Sequence, residues 1–271
     1  IPASAAGTSF TIGGATAEVG QLIDLPVTFT SDVKVRAIGL DLSTGYDSSV
    51  LEFIGFTNRA NFNPAPIFNT FDETKKIISL GWLEAQDFSG GVKVCDIRFK
   101  VIGKGDITVT GRPVVKDATG SGNVECPEPE ASVIAKMKDI TGISFDGAEY
   151  AYDGTEKSIS VKGTLPAGAK VEYTNEKATN AGTYNATAKI TCEGYNDLTL
   201  NATLKINPKN LTVSGLTAQN KKYDGTDTAN LSGGSLNGKI SGDDVNADIP
   251  ATGKFANANA GNNIAVSIDN I

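Results

Sequence analysis

Histidine is absent from the 271 residues of this sequence. It is the commonest general base near neutral pH and a frequent zinc ligand, so its absence removes the usual serine and cysteine triads and most zinc sites. No two carboxylates stand out as a glycosidase pair. The acids Asp243, Asp244 and Asp248 lack the ligand spacing of a calcium loop and are expected to lie in a solvated turn. We therefore predict no catalytic residue, no metal site, no cofactor and no enzymatic activity.

Cysteine, long apolar runs and positive charge are also scarce. Three cysteines lack metal-binding spacing, and Cys95 alternates with Ile97 and Phe99, which predicts a small buried residue. A disulfide between Cys95 and Cys126 is the alternative for that pair. No apolar stretch reaches about 18 residues, so we expect no membrane insertion. The formal net charge of −7, without a basic cluster, argues against nucleic acid as a partner.

Turn residues and alternating apolar residues are abundant. Thirty glycines accompany 39% hydrophobic residues, which is enough apolar content for packed cores. The segment 22–29 alternates apolar and polar residues, as a strand with one buried face does, and Pro26 predicts that this strand lies at an edge or has a local break. Trp82 follows Ile78 and Leu80 on one such face, so we expect it in the core. These patterns predict an all-β protein whose N-terminal part is two packed sheets.

One sequence word occurs twice. Tyr152-Asp153-Gly154-Thr155 recurs 71 residues later as Tyr223-Asp224-Gly225-Thr226, and each copy is followed by Asn-Ala-Gly, at 180–182 and 259–261. Asp-Gly between strand-like runs is a hairpin signal, and both words are typical of turns. The repeat predicts two small β modules in tandem, with Tyr152 and Tyr223 packed beside their hairpins.

Composition divides the chain into three predicted parts: an N-terminal sandwich with a C-terminal connector over 1–133, and modules over 134–208 and 209–271. The connector, about 119–139, contains Gly120–Asn123 and Pro127–Glu130, which are not expected to form strands. Fewer residues follow the second Asn-Ala-Gly than the first. The last module is therefore expected to be truncated by one strand and less stable than its neighbour.

Several segments resemble known families. Tyr46–Phe53, Ile77–Trp82 and Val94–Val101 resemble the strand order of a cohesin domain over about residues 8–118. That resemblance implies a jelly-roll β-sandwich and a protein partner, such as a dockerin-type module or a host or surface ligand. The repeat words resemble MBG-type modules over 134–208 and YDG-type modules over 209–271 of bacterial surface adhesins. They imply a stalk and an extracellular protein, secreted or attached to the cell wall. Ala3–Gly7 is typical of a processed terminus.

A cohesin-like sandwich implies binding through a sheet face. Alternation predicts five outward candidates on its strands, namely Asp41, Ser43, Ser79, Asp96 and Arg98. An ordinary solvent face is the other interpretation of these residues. The leading hypothesis is protein–protein scaffolding or adhesion through the sandwich, with the two modules as a stalk. The alternatives are a purely structural stalk that presents another domain, and carbohydrate binding by the sandwich, so a glycan remains a second kind of partner.

Overall fold

The computed structural model describes residues 7–269, and every regular element within them is a β-strand. The predicted all-β class is therefore confirmed. Contacts divide the chain into two compact units. The first unit comprises Ile1–Thr141, Pro166–Lys170 and Thr191–Leu198, and the second comprises Gly142–Leu165, Val171–Ile190 and Thr199–Ile271. The predicted processed terminus at Ala3–Gly7 falls outside the described residues apart from Gly7.

The first unit contains eleven strands in three sheets. The strands are β1 (Ser9–Ile12), β2 (Ala15–Glu18), β3 (Leu22–Thr30), β4 (Val35–Asp41), β5 (Leu51–Thr57), β6 (Phe68–Asp72), β7 (Ile77–Gln86), β8 (Val92–Val101), β9 (Gly105–Thr110), β10 (Arg112–Asp117) and β11 (Glu130–Lys136). The sheet orders are β1-β3-β8-β5, β10-β4-β7-β6 and β2-β11-β9. This arrangement is a jelly-roll-like β-sandwich, as predicted.

The core of the sandwich consists of the inward residues of these strands. On β3 every second residue from Ile23 to Phe29 is buried, so the alternation in the sequence gave the correct face. Phe99 of β8 is fully buried and contacts the ring edges of Tyr46 and Phe53. Trp82 is 3% exposed and its Nε1 donates to the Pro64 carbonyl at 2.9 Å, which confirms its predicted core position.

Pro26 lies in an inner strand, because β3 is bonded to β1 on one side and β8 on the other. The predicted edge position is therefore wrong, and the predicted local break is correct. The register with β1 stops at Val27, and a bulge interrupts the register with β8 between Val27 and Thr28. The Pro26 ring stands 2.7 Å from where a Cβ of Gly13 would be. Glycine at position 13 therefore allows the segment after β1 to approach β3 closely.

Residues 130–136 form a strand of the sandwich, which corrects the predicted connector. β11 pairs in parallel with β2 and antiparallel with β9. Ala131, Val133 and Ala135 are buried in the core and alternate with more exposed residues. This short alternation comes directly after the Pro-Glu pairs at 127–130. The prediction of a connector here rested on those pairs. A boundary at residue 133 therefore falls inside a strand.

The second unit begins with short strands around a four-stranded sheet. The strands are β12 (Ser144–Phe145), β13 (Ala148–Ala151), β14 (Lys157–Ser158), β15 (Val161–Lys162), β16 (Lys170–Thr174), β17 (Lys177–Ala178), β18 (Gly182–Thr191) and β19 (Leu198–Asn207). The sheet has the order β13-β19-β18-β16. Its core includes Phe145, Ile159, Ala186, Ala188 and Leu204.

The rest of the second unit is one sheet with a thin core. Strands β20 (Thr212–Ala218), β21 (Thr228–Asn237), β22 (Thr252–Phe255) and β23 (Val266–Ser267) lie in that order. Among the described residues after 209, Ala229 alone is buried. Gly233 and Gly234 in the middle of β21 have φ of 81° and 92°, a conformation that interrupts regular pairing.

We expect residues 211–269 to exchange backbone amide hydrogens faster than residues 144–207. A segment with one buried residue has little apolar surface to lose on local opening, so its opening free energy is low. Hydrogen–deuterium exchange read by mass spectrometry on the full chain measures both segments in one sample. Equal protection of the two segments would contradict this prediction.

The three cysteines are free thiols in this structure. Cys95 is fully buried beside Ile97 and Phe99, as the alternation predicted, and its burial raises the pKa of its thiol to about 12. Cys126 is half-buried, and its Sγ lies 3.8 Å from the Pro127 carbonyl oxygen. The structure therefore has no disulfide between Cys95 and Cys126, which was the alternative prediction for this pair.

Candidate partner-binding face

The outer face of the sheet β10-β4-β7-β6 is flat at its centre, because its middle positions carry small side chains. Gly39 of β4 stands between Val114 of β10 and Ser79 of β7. Further along the same pair of strands, Ala37 stands opposite Gly81. At Ala37, Gly39 and Ser79 the small side chains leave the two strands open to close approach by another molecule, whereas Gly81 is buried.

Larger apolar side chains border this strip and remain exposed. Val114, Leu83 and Phe68 expose 55%, 67% and 45% of their surface. The Phe68 ring lies directly over Gly81, in the space that a Cβ would fill. Single exposed apolar residues are ordinary, but several around one flat strip are typical of a contact surface. We call these residues the small-residue face: Ala37, Gly39, Ser79 and Gly81, with Val114, Leu83 and Phe68 at the rim.

A charged pair marks one end of the small-residue face. Asp41 of β4 stands opposite Arg112 of β10, and the Oδ2 and Nη2 atoms are 2.7 Å apart. Hydrogen bonds from Ser43, then the charge of Arg112, hold the pKa of the Asp41 carboxyl below its ordinary value. The backbone amide of Ser43 donates to Oδ1 at 2.8 Å. Asp41 is thus charged and fixed in orientation, although an exposed pair of this kind adds little stability.

The structure brings together three of the five predicted site residues. Asp41 and Ser79 lie on the outer surface of this sheet, and Ser43 is the second residue after the end of β4. Asp96 and Arg98 lie on β8, which belongs to the opposite sheet β1-β3-β8-β5. The five residues therefore do not form one surface. Alternation gives the side of a strand that faces outward, but it does not say which strands share a sheet.

Asp96 is also buried, which corrects its predicted outward position. Its carboxylate accepts hydrogen bonds from Asn58 Nδ2 at 2.6 Å and from Lys93 Nζ, and the segment that follows β5 covers it. The amide of Ala60 donates to the Val94 carbonyl at 2.8 Å and fixes that segment over β8. A bulge at this point of the β3–β8 ladder further disturbs the alternation.

Arg98 lies on the outer surface of its sheet, as predicted, but it is already paired. Its Nε and Nη2 atoms donate to the two carboxylate oxygens of Asp24 at 2.8 and 2.7 Å. This bidentate bond lowers the pKa of Asp24. Across the same face Glu52 stands opposite Lys100. The outer surface of this sheet therefore carries these four charged side chains beside the exposed Leu22.

Sequence reasoning missed the apolar rim. Val114 stands between Arg112 and Lys116 on β10, and this alternation would have predicted an outward valine. Leu83 follows Ser79 and Gly81 at alternate positions of β7 in the same way. The sequence contained both alternations. However, an outward apolar residue indicates a contact surface only when the small residues on the neighbouring strands are known.

Two further properties concern only the described part of the chain. Within residues 7–269, no three cysteine, aspartate or glutamate side chains gather as a set of metal ligands. The same residues contain no helix that is long and apolar enough to cross a membrane.

Comparison with known protein families gives two matches, one in each unit. Residues 8–125 match the cohesin domain. The strands of this cohesin-like domain carry the small-residue face and most of the sandwich core. Residues 207–271 match the YDG domain. The N-terminal and C-terminal resemblances seen in the sequence are thus confirmed, while the MBG-type module over 134–208 and the three-part division of the chain remain predictions.

Solved cohesins are similar to about half of this chain. A non-cellulosomal cohesin from the hyperthermophilic archaeon Archaeoglobus fulgidus is 21% identical, over 48% of this chain and 91% of its own, with a TM-score of 0.37. The third ScaB cohesin of R. flavefaciens, solved with a group 1 dockerin, is 14% identical over 49% and 98%, with a TM-score of 0.40. CaCohA2 from Clostridium acetobutylicum is 19% identical over 48% and 91%, with a TM-score of 0.35. No curated protein sequence matches the chain.

Proposed function

We propose that the cohesin-like domain is a non-catalytic scaffolding module that binds a dockerin-type protein on its small-residue face. The match of residues 8–125 to the cohesin domain supports a protein partner. The observation that carries the choice of surface is the flat strip of Gly39, Ser79 and Gly81 with exposed Val114 and Leu83 beside it.

The physical reason is the difference between the two outer sheet surfaces. Covering exposed aliphatic side chains contributes roughly 25 cal/mol for each Å² removed from water. The small-residue face offers this gain around Gly39 and Ser79, where only small side chains stand, and the Phe68 ring can stay in place over Gly81. Each outer surface has a charged pair, but Asp41–Arg112 stands at one end of the small-residue face, whereas Arg98–Asp24 joins the two inner strands of its sheet, where a partner would bury it and remove its water. A protein partner is therefore better accommodated on the small-residue face.

In the proposed complex, polar residues at one end of this face determine the orientation of the bound partner. Asp41 and Ser43 are oriented by Arg112, and Ser79 lies on the central strip, so these three remain candidate contacts. Directional hydrogen bonds to such residues would fix the orientation of the partner on the apolar strip. Asp96 and Arg98 are left out of the proposed site because they belong to the other sheet.

Replacing Val114 by glutamate should weaken binding of a dockerin module about tenfold or more, which is about 1.4 kcal/mol. The new carboxylate would be buried without a partner in the complex. Isothermal titration of the full chain with a panel of dockerin modules measures the affinity. The matched control is Leu22→Glu, because Leu22 is 58% exposed on the opposite sheet and Val114 is 55% exposed on this one.

The control separates binding from folding. Both variants should have the same thermal unfolding midpoint as the natural protein, since each substitution adds a charge at an exposed strand position. Undiminished affinity of the Val114→Glu variant for a dockerin that binds the natural chain would refute the proposed face. So would an equal loss in the Leu22→Glu variant.

The rest of the proposed function is a spacer outside the cell. Residues 144–267 form small β modules, and the match of residues 207–271 to the YDG domain supports a spacer role for this part of the chain beside a binding domain. A secreted or surface-attached location and a role in adhesion belong to this proposal. Carbohydrate binding by the sandwich is less favoured, because Trp82 is buried and offers no face to a sugar ring.

A further inference from the structure

The two Tyr-Asp-Gly-Thr turns are built in the same way. In the first, Asp153 Oδ1 accepts from the amide and the hydroxyl of Thr155 at 2.9 and 2.6 Å, and Lys157 binds Oδ2. In the second, Asp224 Oδ1 accepts from the amide and the hydroxyl of Thr226, both at 2.9 Å, and Lys221 binds the same oxygen. Each turn therefore holds its own shape, independently of what covers it.

The first turn is covered by a loop of the YDG domain. The Tyr152 hydroxyl donates to Asp243 Oδ1 at 2.6 Å. A Cβ on Gly154 would lie 2.9 Å from the Ile240 Cγ2 atom, so the glycine lets this side chain reach the backbone of the turn. Asp243 is half-exposed at its predicted turn, where this contact holds one of its carboxylate oxygens. One carboxylate and one aliphatic side chain, three residues apart, contact the turn together.

The second shared word of the repeat lies at the same place. Asn180 and Ala181 line a cavity of about 350 Å³ together with Tyr152, Ile240 and Asp243. The Tyr-Asp-Gly-Thr and Asn-Ala-Gly segments of the first module therefore lie next to each other in the fold. The loop of the module that follows forms the other wall of this cavity.

The second turn has the same sequence words, and no loop of residues 7–269 covers it. Tyr223 is 70% exposed, so its predicted packing beside the hairpin is wrong. Apart from the neighbours of Gly225 in the sequence, no described residue has an atom within 4 Å of where a Cβ on Gly225 would stand. A groove of about 740 Å³ runs beside this turn and is lined by Tyr223, Phe255, Asn259 and Ala260. At Tyr152 the loop of residues 240–245 forms one wall of the corresponding space, and no loop of the described residues does so here.

We propose that each pair of repeat words forms a socket for the loop of another module, and that the open socket at Tyr223 binds the loop of a further repeat module. The occupant presents an aliphatic side chain and, three residues later, a carboxylate, as Ile240 and Asp243 do. The aliphatic group lies on the glycine of the turn, and the carboxylate accepts the hydrogen bond of the Tyr223 phenol. The repeat is then a joint that fixes one module on the next.

A second copy of this same chain does not fit the open socket. Its residues 238–245 are already held by its own Tyr152 turn, and an intramolecular contact has the advantage of a high effective concentration. A further module whose loop is unoccupied has no such competitor. The occupant is therefore another module of the repeat type.

The loop itself is closed by local bonds, which makes it usable as a probe. The Asp243 amide donates to the Ile240 carbonyl at 3.2 Å, and Lys239 Nζ donates to the Val245 carbonyl at 2.9 Å. A segment of residues 237–246 contains both bonds. Ile264 and Val266 line the open groove, and a tether attached after residue 271 begins only five residues along the sequence from Val266.

The test adds residues 237–246 to the end of the full chain through a Gly/Ser linker of about 15 residues, whose span is about 20 Å. Tetranitromethane nitrates accessible tyrosines, and mass spectrometry gives the rate at Tyr223 and at Tyr152. The hydrogen bond to Asp243 raises the pKa of Tyr152 and so protects it. In the unextended chain Tyr223 should react faster than Tyr152. In the extended chain the rate at Tyr223 should fall about twofold or more, since a short tether gives millimolar effective concentration.

The matched control is the same extension with Asp243→Ala in the added copy only. It should leave Tyr223 as reactive as in the unextended chain. An unchanged rate in the extended chain, or equal protection by the two extensions, would overturn the proposal. Protection of Tyr223 by neutral oligosaccharides, with none from the added loop, would also overturn it and assign the groove to sugars.

Discussion

Replacing Phe99 by alanine should lower the free energy of unfolding of the first unit by about 3–5 kcal/mol. Phe99 is fully buried, and its ring lies 4.9 Å from that of Tyr46 and 5.8 Å from that of Phe53. Truncation would leave a cavity between the ring of Tyr46, in the connection from β4 to β5, and the ring of Phe53 in β5, and these two rings are held by different segments and cannot both move in. Urea unfolding followed by Trp82 fluorescence measures the loss, because Trp82 is the only tryptophan and lies in this core.

Phe68→Ala is the matched control for that experiment. Phe68 is 45% exposed on the outer surface of β6, so its removal should cost less than about 1 kcal/mol. It also uncovers Gly81 without disturbing the core. Similar losses in the two variants would contradict the position of Phe99 at the centre of the sandwich.

Replacing Leu204 by alanine should destabilise the second unit by about 2–5 kcal/mol and leave the first unit unchanged. Leu204 is fully buried on β19 among Phe145, Ala186 and Ala188. The small neighbours cannot fill the space that the larger side chain leaves. Hydrogen exchange across residues 144–207 measures the loss in the second unit.

The unfolding of the first unit serves as an internal control for the Leu204→Ala variant. The Trp82 transition should keep its midpoint, because Trp82 and Leu204 belong to different compact units. An equal shift of the Trp82 transition would mean that the chain unfolds as one cooperative body, and the division into two units would then be wrong in energetic terms.

The sequence predicted those parts of the fold that depend on one strand at a time. Alternation from Ile23 to Phe29 gave the buried face of β3, and the same pattern placed Trp82 and Cys95 in the core. Burial of one face is a local property, because successive side chains of a strand point to opposite sides. Pro26 gave the break in β3 for a similar reason, since a missing amide hydrogen interrupts pairing wherever the strand lies.

The parts that could not be predicted depend on contacts between distant segments. Asp96 is buried because Asn58 and Ala60 lie across its strand, and no pattern around residue 96 contains that information. Residues 130–136 form a strand because a gap between β2 and β9 accepts them. Their own alternation is short and stands beside two prolines.

The candidate surface was predicted in part for the same reason. Asp41 and Ser79 lie on one surface because β4 and β7 are neighbours in the sheet, which alternation does not reveal. Arg98 is outward as expected, yet its strand belongs to the other sheet. The outward side of each strand could thus be predicted from the sequence, whereas the order of the strands in the sheets could not.

The parallel pair of β2 and β11 has a mechanical consequence. β2 lies near the start of the sandwich and β11 near its end, and the register runs from Ala15 opposite Val133 to Glu18 opposite Lys136. Tension that pulls the chain from both sides would draw these two strands in opposite directions along their length. Their hydrogen bonds then share the load and must break together, instead of opening one after another as in a hairpin pulled from its free ends. The cohesin-like domain is therefore joined to the rest of the chain by a shear contact suited to bearing force.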